Sequence, residues 1–251
     1  MSPLVTPIPT LERRRLPRAS ESAPAVVYRS HAALACAGRD ALESHLSQRE
    51  RAELLTWRDA GRRRAWLCAR VAAKRLIAEH WPGELAVAHL EILSRDEQGR
   101  PNRPQVFLKS RPLACSLAIS HTERGVLVGL ADGWSTRVGV DLAQCGWPRD
   151  GFARLWLTSG ERAWVDGSAS ADIASFVWAA KEALYKACHS GESFAPAAFE
   201  ILPTGGASYR GNPIDGLTLR SWTVDGQVAV MASIDTRATS TIPCPHLPTG
   251  G

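Results

Sequence analysis

The sequence predicts an α+β fold of two similar lobes. Three observations lead there. Each half of the chain holds one long amphipathic helix. Each helix is followed by three β-like runs. The strands are grouped after the helices instead of alternating with them, which disfavours a doubly wound parallel sheet. No sequence match joins the halves, so the similarity lies in the order of elements. The strand TRVGVDL is expected to join the lobes, and their junction is the natural cleft. The expected organisation is a flexible tail over 1–24, an N-terminal lobe over 25–134, a C-terminal lobe over 135–235 and a second tail over 236–251. The 251 residues suffice for this, and 45% of them are hydrophobic, enough for a sizeable core.

The elements follow in order. Ser47-Gln48-Arg49-Glu50 is a capping-box pattern that opens a short helix. The next helix spans GRRRAWLCARVAAKRLIAEHW, with Trp66, Leu67, Arg70, Val71, Lys74 and Ile77 recurring at helical spacing until Pro82-Gly83. HLEIL, CSLAIS, GVLVGLA and TRVGVDL read as strands, and DEQGRPNRP as a turn or loop. FARLWLTSGERAWV reads as two short helices broken at Ser159-Gly160. DIASFVWAAKEALYKACH is the strongest helix signal in the chain. AFEIL, LTLRSWTV and QVAVMASI complete the strands.

Composition narrows the classes of function. No apolar run is long enough to cross a bilayer. The N-terminal sequence places prolines where a secretory signal would be apolar, so a cytoplasmic protein is expected. The six cysteines show no CxxC or zinc-finger spacing, and buried free thiols are expected. The net charge is +5, and only four of the 30 basic residues are lysines: Lys74, Lys109, Lys181 and Lys186. Such a balance suits an anionic partner.

Three stretches carry chemistry. SLAISHTERG ends a strand in Ser120-His121. VGVDLAQ sets Asp141 inside an apolar strand, where a carboxylate is costly unless paired or bound to a metal. WAAKEALYKA puts Glu182 and Lys186 four apart on one helix face, with Lys181 about 100° away. Taken singly, each has an ordinary reading: a turn histidine, a capping aspartate, a solvated Glu–Lys pair. Together they assemble two hard oxygen ligands suited to Mg²⁺ and a set of cations suited to phosphate, the equipment of phosphoryl transfer.

The ordered set GRP, ISH, VGVD and WxxKEAxxK resembles the Sfp-type 4′-phosphopantetheinyl transferases, over about Arg62 to Phe199. The upstream RRRAWLCARVAAK is also similar to that family's first helix. The resemblance implies a pseudo-dimer of two α+β lobes with the active site at their junction. It implies transfer of 4′-phosphopantetheine from coenzyme A, the co-substrate, to a serine of an apo acyl or peptidyl carrier protein, with Mg²⁺ on the pyrophosphate and release of adenosine 3′,5′-bisphosphate. Carried over by position, Asp141 and Glu182 would hold the metal. Arg63, Arg95, Arg100, Ser120, His121 and Lys181 would line the coenzyme A site, and Lys186 would face the pyrophosphate. Glu182, directly or through a water, would be the base for the carrier serine, and Lys186 would offset charge on the leaving group. Many members carry a second acid two residues after the aspartate. Here that position is Ala143. A fused pseudo-dimer is expected to be a monomer.

Two other readings stand beside this one. A non-catalytic coenzyme A or carrier-protein binder is suggested only by Ala143. A nucleic-acid-binding module could use Arg62, Arg63, Arg64, Arg70 and Arg75, but no nucleic-acid fold motif accompanies them. The transferase reading therefore carries no nucleic acid and no membrane among its partners. Phe152, Leu155, Trp156 and Trp164 exceed what two short helices need, and at least two of them are expected to pack on the core, leaving an apolar patch for the carrier.

Overall fold

The computed structural model describes residues 23–35, 39–81, 85–96, 98–146, 151–188 and 193–238. It is a mixed α+β fold of four small antiparallel sheets. The first half runs β1 (Ala25–Ser30), α1 (His31–Ala35), α2 (Arg39–Glu43), α3 (Gln48–Leu55), α4 (Ala60–His80), β2 (Leu90–Arg95), β3 (Pro101–Leu108), β4 (Arg111–Pro112), β5 (Cys115–His121) and β6 (Gly125–Asp132). The second runs β7 (Thr136–Gln144), α5 (Phe152–Trp156), α6 (Ser159–Asp166), α7 (Ile173–Cys188), β8 (Phe199–Ile201), β9 (Ala207–Tyr209), β10 (Asn212–Pro213), β11 (Leu217–Val224) and β12 (Gln227–Asp235). Each half thus has a leading strand and five strands after its long helix, not three. Sheet β1-β6-β5 has its counterpart in β7-β12-β11, and β2-β3-β4 in β8-β9-β10.

Helix α3 starts where the sequence predicts: Ser47 accepts from the Glu50 amide, and the Glu50 carboxylate accepts from the Ser47 amide at 2.8 Å. The break between α5 and α6 falls at Leu157-Thr158, not at Ser159-Gly160, because Thr158 and Glu161 form a second capping box. Ser159 and Gly160 are the first residues of α6. Within DEQGRPNRP the described residues 96 and 98–100 form the turn. Pro101 opens β3, at a position where a proline costs the least ladder bonding, and the β2–β3 register shifts between Leu93 and Arg95. Pro82-Gly83 and most of both predicted tails lie outside the described residues. Cys68, Cys115, Cys145 and Cys188 are free thiols, all but Cys145 buried.

The two capping boxes head matching polar networks. In the first half, Lys74 on α4 donates to Glu50 and to the His45 carbonyl, both at 2.6 Å. The second Glu50 oxygen accepts the Ile92 amide at 3.0 Å, and Ser47 donates to Glu91 at 2.6 Å. In the second half, Lys181 on α7 pairs with Glu161 at 2.5 Å and donates to the Trp156 carbonyl at 3.1 Å. Glu161 accepts the Ile201 amide at 2.8 Å, and Thr158 donates to Glu200 at 2.9 Å. Each network ties a short helix, the long helix and the first strand beyond it. The sequence does carry the match, in two fragments: Leu46-Ser47 and Glu50-Arg51-Ala52 against Leu157-Thr158 and Glu161-Arg162-Ala163, then Ala72-Ala73-Lys74 against Ala179-Ala180-Lys181. The fragments are short and stand at different offsets in the two halves, so they fall short of a sequence repeat.

Both lysines and both glutamates are fully buried. Burial pulls both lysines below the ordinary lysine range, and the facing glutamates oppose that pull. Removing one member strands a buried charge. Lys74→Met and Lys181→Met should each cost about 3–5 kcal/mol in urea unfolding. Arg100→Ala, at an exposed ion pair, should change stability by no more than about 0.5 kcal/mol.

Candidate functional site

Strand β7 sets the site. Among the described residues it is an edge strand, paired through Asp141↔Val230 and Val138↔Ser233 with β12 alone. In an antiparallel ladder each residue directs its N–H and C=O to the same side. Val138 and Val140 direct theirs away from β12, and side chains from elsewhere meet them. The Val138 amide donates to Ser116 Oγ at 2.9 Å, and its carbonyl accepts from Arg103 at 3.2 Å. The Val140 carbonyl accepts from Lys186 Nζ at 3.1 Å.

Gly139 explains how close β7 and α7 come. A Cβ there would lie 1.8 Å from the Ala183 carbonyl oxygen and 2.6 Å from the Ala187 nitrogen. The strand therefore lies directly on the helix backbone between Glu182 and Lys186. Gly129 on β6 plays a lesser part of the same kind, since its Cβ would meet the Val140 side chain at 2.7 Å.

Asp141 is buried and its Oδ1 receives two donors: Ser120 Oγ from β5 at 2.8 Å and Lys186 Nζ from α7 at 2.7 Å. Glu182 stands beside this pair. Burial, and then the Asp141 charge, hold its carboxyl above the ordinary glutamate range, while Lys186 pulls it down. Among the described residues nothing donates to the Glu182 carboxylate. Lys186 stays partly open to solvent, its side chain 27% exposed. His121 ends β5 in an exposed position. Partial desolvation and then the Lys186 charge hold its imidazole below the ordinary histidine range, with His31, Arg70 and Arg62 adding to the effect.

Asp141, Glu182, Lys186, Ser120 and His121 thus come together. Lys181 does not join them: it is sealed in the Glu161 network on another face of α7. Arg63 donates to the Trp57 carbonyl at 3.2 and 3.3 Å, and Arg95 lies over the Trp57 ring at 5.7 Å, so these two meet at one residue. Arg100 is exposed and bound to Asp96 at 2.7 Å. Arg70 is buried, paired with Glu53 at 3.2 Å and with Ser94 at 2.6 Å, and is no part of a basic face. Sequence reasoning missed Ser116, Arg103 and His31. Ser116 and Arg103 lie within the quoted stretches SLAISHTERG and DEQGRPNRP but outside the ISH and GRP motifs, and His31 opens α1, so nothing local marks them.

Asp141 and Glu182 fit a magnesium ion. The ion usually takes one or two protein carboxylates. Two like charges close together, one of them without a donor, gain from a divalent cation between them. No cluster of three or more His, Cys, Asp or Glu able to hold a metal occurs among the described residues. Ala143 is buried in the apolar cluster beneath α7, so it leaves the remaining positions to water or substrate oxygens. Beside the site, Trp178 on α7 packs edge-on against Phe152, Trp156 and Phe194, with ring centroids 4.9, 6.1 and 5.6 Å away.

The carboxylate coupling is measurable by ¹³C NMR titration of the Glu182 carboxyl. Asp141→Asn should lower its pKa toward the ordinary value, and Lys186→Met should raise it further. Because the folded-state pKa lies above the unfolded one, the native state binds the proton more tightly. This group's contribution to stability is therefore present at acid pH and is lost as pH rises from about 4.5 through the folded pKa.

Residues 137–236 match the model of the family described as the 4′-phosphopantetheinyl transferase superfamily. The match begins one residue into β7 and ends just past β12, so it takes in Asp141, Glu182 and Lys186. No curated protein sequence matches the chain. No described helix is long and apolar enough to cross a membrane.

Proposed function

From the match of residues 137–236 to the model of the 4′-phosphopantetheinyl transferase superfamily, we propose that the chain moves 4′-phosphopantetheine from coenzyme A to a serine of an apo acyl or peptidyl carrier protein. The observation that carries the reading is the Asp141 carboxylate. It accepts from Ser120 of the first half and Lys186 of the second, beside a Glu182 that has no donor among the described residues. The pseudo-dimer with its site at the junction is part of the same proposal. The matching sheets and the two Glu–Lys networks support it.

The chemistry assigned to each residue follows from its surroundings. Asp141 and Glu182 would hold Mg²⁺. Bound between them, the ion would supply Lewis-acid polarisation of a phosphoanhydride and would offset charge on a leaving bisphosphate. Glu182, directly or through a water, takes the proton of the carrier serine. Lys186 brings positive charge to the transferred phosphate from a side chain already fixed by Asp141 and the Val140 carbonyl. Ser120 fixes the Asp141 rotamer. His121, with Arg63 and Arg95 farther along the first half, offers donors to the nucleotide end of coenzyme A. Lys181 is withdrawn from that set.

The carrier would approach over α5. Leu155 and Trp156 are exposed at 68% and 41%, whereas Phe152 and Trp164 pack against the core. Trp156 meets Trp178 one turn before Glu182 on α7, so the exposed apolar surface runs up to the site.

Incubation of an apo carrier with coenzyme A, Mg²⁺ and this protein should add one phosphopantetheine group, read by mass spectrometry. Asp141→Ala and Glu182→Ala should each lower the initial rate by about two orders of magnitude or more. Labelling at the wild-type rate by the double variant would sink the site assignment. A protein that binds coenzyme A but transfers nothing would favour the binder reading.

A further inference from the structure

Arg103 lies on β3, in a sheet that contributes none of Asp141, Glu182, Lys186, Ser120 and His121, yet its side chain ends at the edge of β7. One guanidinium nitrogen donates both to Ser116 Oγ and to the Val138 carbonyl, the latter at 3.2 Å. Ser116 Oγ in turn accepts the Val138 amide at 2.9 Å. Arg103 and Ser116 together therefore satisfy both backbone groups that Val138 presents at the unpaired edge. A strand edge of this kind normally needs a neighbouring strand or water.

The arrangement bears on the site through two strands at once. Ser116 and Ser120 lie four residues apart on β5, and Val138 and Asp141 lie three apart on β7. The Ser116–Val138 and Ser120–Asp141 bonds are the two rungs that set β7 against β5. Arg103 fixes the first rung, and the second holds the Asp141 carboxylate. Burial, with the nearby Arg137 cation, pushes the Arg103 guanidinium down to about 10, which still leaves it charged at neutral pH. Of the two lone pairs on Ser116 Oγ, the guanidinium and the amide each take one, so the hydroxyl geometry is fully determined.

We propose that Arg103 is a positioning residue of the site: by pinning Val138 it holds the edge of β7 where Asp141 meets Ser120 and Lys186. The role rests on the transferase reading, but its test does not depend on that reading. The variants are Arg103→Met, Arg103→Lys and Ser116→Ala. Amide hydrogen exchange over residues 136–144 is followed by NMR, and Mn²⁺ affinity in the presence of coenzyme A is followed by EPR. Unfolding is recorded alongside.

Arg103→Met should speed exchange at Val138 and Asp141 at least tenfold and weaken Mn²⁺ binding at least fivefold. Arg103→Lys should recover part of both, because an ammonium can reach one of the two acceptors. Ser116→Ala should act in the same direction with the arginine intact. General loosening would speed exchange in β11 and α4 equally and leave Mn²⁺ affinity unchanged in the folded fraction. That result overturns the proposal, as does exchange in β7 and Mn²⁺ affinity within twofold of wild type in Arg103→Met. If the wild type binds no Mn²⁺, the exchange arm alone decides. Wild-type protein that modifies no apo carrier defeats the transferase reading and leaves the exchange result to judge Arg103.

Discussion

An unpaired strand edge inside a protein must find donors and acceptors somewhere, and at β7 that need shapes everything around it. The strand has one hydrogen-bonded neighbour, β12, and its outer side is served by side chains. Arg103 and Ser116 serve Val138, and Lys186 serves Val140. Once Lys186 has bonded the Val140 carbonyl, its ammonium also lies against Asp141. The backbone requirement and the charge arrangement are thus met by the same contact. An unmade backbone bond in a buried setting costs about 1–3 kcal/mol, so the lysine is held by more than its attraction to a carboxylate.

The repeated Glu–Lys networks show how one structural device serves two different halves. Glu50–Lys74 and Glu161–Lys181 fix the long helix to the short one and to the strand beyond. Aligning the halves on Ala-Ala-Lys places Arg75 where the second half has Glu182, and Glu79 where it has Lys186. The first half keeps the staple and reverses the charges that follow it. It therefore builds no second site, although it supplies Ser120 and His121 to the first.

Much of this was legible in the residues. The capping box at Ser47–Glu50, the two long helices and the strands around Asp141 follow from local pattern, which the long-range structure did not override. Strands β4, β9 and β10 were not legible, because two or three residues carry no period. Strand β3 was hidden by its prolines, which a sheet tolerates at a strand start and beside a register shift. The adjacency of Asp141, Glu182 and Lys186 could be argued from motif spacing. Lys181 could not be separated from Lys186 in that way, because both lie in one motif. What separates them is the five-residue step along the helix, about 140° around its axis, together with a buried glutamate 20 positions upstream of Lys181. Arg103 was invisible for a similar reason: its significance depends on which edge of β7 is unpaired.

The Gly139 contact has a mechanical consequence. At Gly139 backbone rests on backbone, so at that point no side chain lies between β7 and α7 that could slide or compress. Asp141, Glu182 and Lys186 therefore belong to one rigid piece, whereas Ser120 and His121 belong to the other sheet. Any shear between the sheets would leave the carboxylates and the lysine in register with one another and would shorten or stretch the bonds that Ser120, Ser116 and Arg103 make to β7. The carboxylates and the lysine are insulated from such movement, and Ser120 and His121 would feel it first.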